Sequence, residues 1–242
     1  MTDVYIVQKL ENNKDIIVNV PGSKSITNRA LMLAALSDGE CNLDGVLFSD
    51  DSRAFLDCLE KLGFQLFIDE NEKRVKVVGT SGEIPNRKAT IDVRSAGTAA
   101  RFLTVMLAVT GGEYTLNSSE QMKKRPMGEI IDLIRNAGVK ISCLEEEGHF
   151  PFIISSNGLD KKEVSINTDT SSQYASALLM AAVMTGLKIK LTGKRVNGAY
   201  IKITLNMLKQ FGIKYVQFEE NKYNIENNGI WRVFFYMYLY KN

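Results

Sequence analysis

Glycines able to end a helix recur at Gly63, Gly138 and Gly212, in steps of 75 and 74 residues, and each follows a segment of the same pattern. The segments run from Phe55 to Leu62, from Ile130 to Ala137 and from Thr204 to Phe211. In each, the apolar residues fall on one face of a 3.6-residue helix, and the glycine supplies the left-handed residue that closes it. A strand-like run comes next every time: Phe64 to Ile68, Val139 to Cys143 and Ile213 to Phe218. A repeat of this length constrains the fold more than any local propensity. Copies of one supersecondary unit must pack together to bury what a single copy cannot.

A second type of helix precedes each of these units. Its predicted first residues, Ser25, Thr98 and Ser171, stand 73 residues apart and read as equivalent positions. The bodies, Ala30 to Leu36, Phe102 to Val109 and Ala175 to Met184, are apolar nearly all round, which places them in a core rather than on a surface. With 45% apolar and 24% charged residues, 242 residues suffice for such a core. The expectation is an α/β (α+β) fold, an inside-out barrel of three βαβαββ-type repeats with parallel helices inside and sheets outside.

Parallel packing would bring the three core helix N-termini to one end, where unpaired N–H groups and the helix dipoles favour anions. The first start, Pro21-Gly22-Ser23-Lys24-Ser25-Ile26-Thr27-Asn28-Arg29, adds two cations, with Ser25 and Arg29 four residues apart on one helix face. It lacks the spaced glycines of a P-loop. The second, Arg94-Ser95-Ala96-Gly97-Thr98-Ala99-Ala100-Arg101, leaves the backbone uncovered at Gly97. Downstream, Lys123-Lys124-Arg125-Pro126-Met127-Gly128 sets an arginine before a proline that fits the first position of the next helix. The third, Asp169-Thr170-Ser171-Ser172-Gln173-Tyr174, offers neutral donors. Each start taken singly also reads as an ordinary helix cap, the basic segment as a solvated turn, and Tyr200 as either a ligand-facing ring or a core residue. Three polar starts in one repeat frame favour a binding rim.

Other chemistries find little support. His149 is the single histidine, so paired-histidine metal sites are excluded, and no metal site is expected. Cys41, Cys58 and Cys143 form no paired motif and suit a reducing compartment. The N-terminal stretch is no secretory signal, and no run is long enough to span a bilayer as a helix, so a cytoplasmic protein without membrane association is expected. A net charge of +2, with no stacking aromatics at the three starts, argues against nucleic acid.

Taken together, the Gly-Ser-Lys-Ser-x-x-Asn-Arg-Ala run from Gly22, the Ala-Gly-Thr run with Arg101, the Arg-Pro-Met-Gly run and the Ser-Ser-Gln run resemble the enolpyruvyl transferases. The resemblance covers residues 1 to about 225 and is to the branch acting on shikimate 3-phosphate. The branch acting on UDP-N-acetylglucosamine, an alternative, carries an Ala-Lys-Asn type of first motif that this chain lacks. The resemblance implies transfer of the enolpyruvyl group from phosphoenolpyruvate to the 5-hydroxyl of shikimate 3-phosphate, in aromatic amino acid biosynthesis, with no metal or organic cofactor. It implies that Lys24, the catalytic candidate, lies between both substrates. Ser25 and Arg29 would hold shikimate 3-phosphate, Ser171, Ser172 and Asn197 its phosphate, and Gln173 and Tyr200 its ring. Gly97, Arg125 and Gln173 would receive phosphoenolpyruvate, supported by Thr98.

Departures from the family pattern are Ser95 for asparagine, Phe102 for proline and Asn197 for serine. Family members, expected as monomers, carry a second three-repeat domain that supplies proton-transfer residues and further arginines. Its expected absence here predicts a chain inactive alone, or one that binds shikimate 3-phosphate without turnover. The expected domains are residues 1–20, strands shared with the second domain (Val4 to Leu10 and Ile16 to Val20); residues 21–227, the three repeats; and residues 228–242, an aberrant apolar tail. An extra edge strand is the other reading of that tail.

Overall fold

The computed structural model describes residues 22–225 and 235–239. Pro21 and the strands expected at Val4 to Leu10 and Ile16 to Val20 lie outside them. The first repeat comprises α1 (Lys24–Leu36), β1 (Asp38–Asp44), α2 (Asp50–Lys61), β2 (Gln65–Asp69) and β3 (Arg74–Thr80). The second comprises β4 (Lys88–Asp92), α3 (Gly97–Thr110), β5 (Gly112–Asn117), α4 (Glu120–Lys123), α5 (Gly128–Asn136), β6 (Lys140–Cys143) and β7 (Phe152–Ser156). The third comprises β8 (Glu163–Asn167), α6 (Ser172–Ala181) with a 3-10 turn to Met184, β9 (Lys188–Thr192), α7 (Ala199–Gln210), β10 (Tyr215–Glu219) and β11 (Lys222–Ile225). A last strand, β12 (Phe235–Tyr238), follows.

The repeat read from the glycines is the repeat of the fold. Gly63, Gly138 and Gly212 sit at φ of +89°, +98° and +73° after α2, α5 and α7, the left-handed conformation that ends a helix without a Cβ penalty. The core helices are buried on every side: α1 from Thr27 to Leu36, α3 from Phe102 to Val109 and α6 from Tyr174 to Ala181. The outer helices bury one face, as the single stripe Ile130, Ile131 and Ile134 of α5 shows.

The strands form three four-stranded sheets, ordered β12-β1-β3-β2, β4-β5-β7-β6 and β8-β9-β11-β10. In each, the first pair is parallel and the other two antiparallel. Burial alternates along the strands, Val164 and Ile166 of β8 facing in and Glu163, Ser165 and Asn167 out, so each sheet has one core face and one solvent face. The helices are therefore inside and the sheets outside, as three sheets rather than one continuous barrel wall.

Part of the apolar tail occupies the first sheet. β12 runs parallel to β1 with Cys41 opposite Phe235 and Asp44 opposite Tyr238, the position held by β4 beside β5 and β8 beside β9. One hydrogen bond recurs past each pair: Leu239 N–H donates to Asp44 O (2.8 Å), Val93 N–H to Asn117 O (3.0 Å) and Thr168 N–H to Thr192 O (2.9 Å). Leu239, Val93 and Thr168 are all buried.

Two local expectations fail. The core helices begin at Lys24, Gly97 and Ser172, so Ser25 and Thr98 are inside the first turn whereas Ser171 is the cap itself. The reason lies in the capping chemistry: Ser171 Oγ accepts from Gln173 N–H (3.3 Å), whereas Ser23 and Ala96 give their helices no side-chain cap. Pro126 does not open α5, which starts at Gly128; its carbonyl is bound elsewhere, by Tyr174.

Candidate functional site

Arg29 is the deepest of the site residues proposed from sequence, only 1% exposed. The apolar run from Ala30 to Leu36 that follows it in α1 carries it into the core, where it bridges the first and third repeats. Nε donates to Thr204 Oγ1 of α7 (2.8 Å), Nη2 to Ser176 Oγ of α6 (2.9 Å) and Nη1 to Ser25 O (2.7 Å). The rings of Phe102 and Tyr200 lie 5.3 and 5.7 Å from its Cζ. Every one of these contacts is neutral, and burial pulls the guanidinium down to about 10. Buried charges are ordinarily paired with an opposite charge, so a cation held only by neutral oxygens marks a place where an anion is favoured.

A second cluster forms where α3, α6 and the loop before α5 meet. Gly97 opens α3, and a Cβ placed there would lie 2.8 Å from Arg101 Nη1 and 2.9 Å from Arg125 Nη1, so two guanidinium groups crowd the bare backbone. Arg101 Nη1 also donates to Gly97 O (2.9 Å), and Arg101 lies over the Tyr174 ring at 5.4 Å. Tyr174 OH donates to Pro126 O (2.9 Å), tying the segment that carries exposed Arg125 to α6. Gln173 Nε2 donates to Thr98 Oγ1 (3.5 Å), joining the second and third helix starts.

The first turn of α6 connects the two clusters, since Gln173, Tyr174 and Ser176 reach Thr98, Pro126 and Arg29 respectively. Arg101 and Phe102, neighbours on α3, likewise face one cluster each. Ser25, Arg29, Gly97, Thr98, Arg125, Gln173 and Tyr200 are thus brought together. Lys24, on the first turn of α1, reaches Asp51 of α2 at 3.4 Å and is half exposed. Ser172 is half-buried in the first turn of α6, and Asn197 is exposed in the turn before α7, two residues from Ala199. Tyr200 is 48% exposed, which removes the core-packing reading of its ring.

Sequence reasoning missed Thr204, Ser176, Tyr174 and the part played by Arg101. A hydroxyl within an all-apolar helix was the available signal for Ser176. Phe102, one of the departures from the family pattern, packs against Arg29 itself. The His149 ring meets its own turn, its Nδ1 3.1 Å from Glu147 O. Among the described residues there is no cluster of three metal-ligating side chains, and no helix is long and apolar enough to cross a membrane.

Comparison with known proteins adds the following. A family model described as EPSP synthase (3-phosphoshikimate 1-carboxyvinyltransferase) matches residues 9–230. The chain is 36% identical over 226 residues to the 3-phosphoshikimate 1-carboxyvinyltransferase of Trichormus variabilis, covering 93% of this chain and 53% of that protein. It is 42% identical over 208 residues to that of Neisseria meningitidis serogroup B, covering 84% of this chain and 47% of that one. A solved EPSP synthase from Acinetobacter baumannii superposes with a TM-score of 0.74 at 24% identity, covering 88% of this chain and 47% of the other, and so shares the fold. The chain spans about half the length of the curated relatives it matches.

Proposed function

The chain belongs to the EPSP synthase family, and from that premise we propose that its three repeats form the half of a 3-phosphoshikimate 1-carboxyvinyltransferase that grips shikimate 3-phosphate. The observation that carries this reading is the uncompensated guanidinium of Arg29, buried beneath Ser25 and flanked by the exposed ring of Tyr200. A multiply anionic sugar-like acid suits such a place: its charge meets Arg29 and Lys24, its phosphate the neutral donors of Ser171, Ser172 and Asn197, and its ring face Tyr200 and Gln173. Phosphoenolpyruvate would take the neighbouring cluster, against the Gly97 backbone, Thr98, Arg125 and Gln173.

The reaction of the whole protein, on this reading, adds the 5-hydroxyl oxygen of shikimate 3-phosphate to C2 of phosphoenolpyruvate as a proton joins its methylene carbon. Loss of phosphate and of one methyl proton then restores the double bond in the product. Lys24 is the catalytic candidate in this chain, placed to hold or pass a proton between the two substrates. No step calls for a metal or an organic cofactor. The remaining charge-stabilising and proton-transfer groups belong to the other half of the family's enzymes, so this chain alone is read as binding without turnover. We read it as a cytoplasmic protein, and the whole enzyme as monomeric. Buried Cys41 and Cys58, their thiols pushed by desolvation up to about 12, suit a reducing compartment.

Titration calorimetry with shikimate 3-phosphate, run beside a phosphate-release assay with phosphoenolpyruvate, tests both parts. Binding without phosphate release is expected. Release by the pure chain would overturn the inactivity, and absence of binding by folded protein would overturn the proposed ligand.

A further inference from the structure

Ser176 and Thr204 are fully buried hydroxyls in helices whose other inward residues are apolar. A buried hydroxyl costs stability unless it is paired, and these two pair with the same group. Arg29 Nε meets Thr204 Oγ1, Arg29 Nη2 meets Ser176 Oγ, and the two oxygens lie 2.9 Å apart, closing a ring of three side chains from α1, α6 and α7. Thr204 Oγ1 is also 2.9 Å from Tyr200 O, one helical turn back and at the residue whose ring flanks the guanidinium. Helix geometry would satisfy Thr204 through that carbonyl alone, so the bond from Arg29 is additional.

A guanidinium is planar and carries five N–H donors in a fixed fork. Bonds from Nε and Nη2 to two fixed oxygens hold one edge of that plane and stop its rotation about the Cδ–Nε bond. With Nη1 on Ser25 O, three donors are engaged. One N–H remains on each of Nη1 and Nη2, the pair a carboxylate or phosphate accepts in parallel.

We infer that Ser176 and Thr204 are positioning residues for the anion site: they act through Arg29, fixing its plane so that the remaining pair of donors is held ready for the ligand. The inference rests on the reading of this site as the one for shikimate 3-phosphate. The two hydroxyls would then set affinity for a molecule that neither touches.

The test is shikimate 3-phosphate affinity of the full chain by calorimetry, with melting temperature measured on the same samples, for Thr204→Val, Thr204→Ser, Ser176→Ala and Ser176→Thr. Valine keeps the shape of threonine and removes the hydroxyl, both the acceptor for Arg29 Nε and the donor toward Ser176 Oγ or Tyr200 O. Thr204→Val and Ser176→Ala are expected to weaken binding by about tenfold or more, the scale of one hydrogen bond to a charged group. Thr204→Ser and Ser176→Thr, which keep the hydroxyl, are expected to stay within about twofold of the parent. A merely structural role would lower the melting temperature without changing affinity below the transition. Folded Thr204→Val and Ser176→Ala proteins that bind as the parent does would overturn the inference. Failure of the parent itself to bind would instead overturn the reading on which it rests.

Discussion

Replacing Arg29 with methionine separates what the residue does for the fold from what it does for the ligand, because the two effects have opposite signs. Burial lowers the guanidinium well below its ordinary value, to about 10, which disfavours the charged form by an amount on the order of 3 kcal/mol. That cost is present in full at neutral pH, where the group remains charged. It is relieved only above pH 10, where the folded state has released a proton that the unfolded state still holds. Methionine fills a similar volume without charge, and Thr204 Oγ1 can then bond to Ser176 Oγ or Tyr200 O, both already 2.9 Å away. Exchanging a buried charge for a packed apolar side chain is commonly neutral or stabilising by about 1–4 kcal/mol.

Arg29→Met is therefore expected to hold or raise the melting temperature, by about 2–4 °C for each kcal/mol gained in a domain of this size. The parent's stability deficit against it should shrink above pH 10. Its affinity for shikimate 3-phosphate should fall by about 10- to 150-fold, the loss of a charge-assisted hydrogen bond. Denaturation curves at pH 7 and pH 10.5, with calorimetry at pH 7, measure all three quantities. Destabilisation by more than about 3 kcal/mol, the figure for breaking a well-compensated buried pair, would refute the argument that the charge lacks compensation within the fold.

Gly97→Ala should leave stability within about 1 kcal/mol, since the new methyl meets the movable ends of Arg101 and Arg125, and it should weaken phosphoenolpyruvate binding by displacing them; unchanged binding in calorimetry would sink that expectation. Leu239→Asp puts a carboxylate at a buried position and should release β12, so that hydrogen exchange speeds up along Cys41–Asp44 while the β2–β3 pairing stays protected. Equal protection in parent and variant would count against β12 as a working strand. Cys41 and Cys58, with thiols pushed up to about 12, should resist iodoacetamide at pH 8 in the native protein, leaving half-buried Cys143 as the native site of labelling seen by mass spectrometry. Denaturant should release the other two, and fast native labelling of either would show that its burial is incomplete.

The repeat was legible because it is written twice over, in glycines that end helices and in helix bodies apolar on all sides. Both signals are local and survive without tertiary information. The positions of the helix starts were less legible. Equal spacing of Ser25, Thr98 and Ser171 suggested equivalence, but Ser171 accepts from its own helix and Ser25 does not cap its helix, a difference set by backbone torsions rather than residue type. The Arg29 ring was beyond reach, for Ser176 and Thr204 stand 147 and 175 residues from Arg29 in sequence and neither lies in a polar motif. The tail was legible as an edge strand in one of its two readings, but its partner was not: β1 lies near the other end of the chain, and only pairing reveals the slot beside it.

That same distance in sequence explains why the site centres on α6. Residue 174 projects about 100° around the helix from residue 173, and residue 176 about 200° further on, so one short stretch addresses three directions. Gln173 meets α3 at Thr98, Tyr174 meets the Arg125 segment through Pro126 O, and Ser176 meets α1 through Arg29. Hydrogen bonds of 2.9 Å from Tyr174 and to Ser176 leave little freedom for one side to move without the other. The proposed shikimate 3-phosphate and phosphoenolpyruvate clusters are consequently two faces of one helix start. Three repeats suffice to build it because the third supplies, within four residues, a contact to Arg29 of the first and to Arg101 of the second.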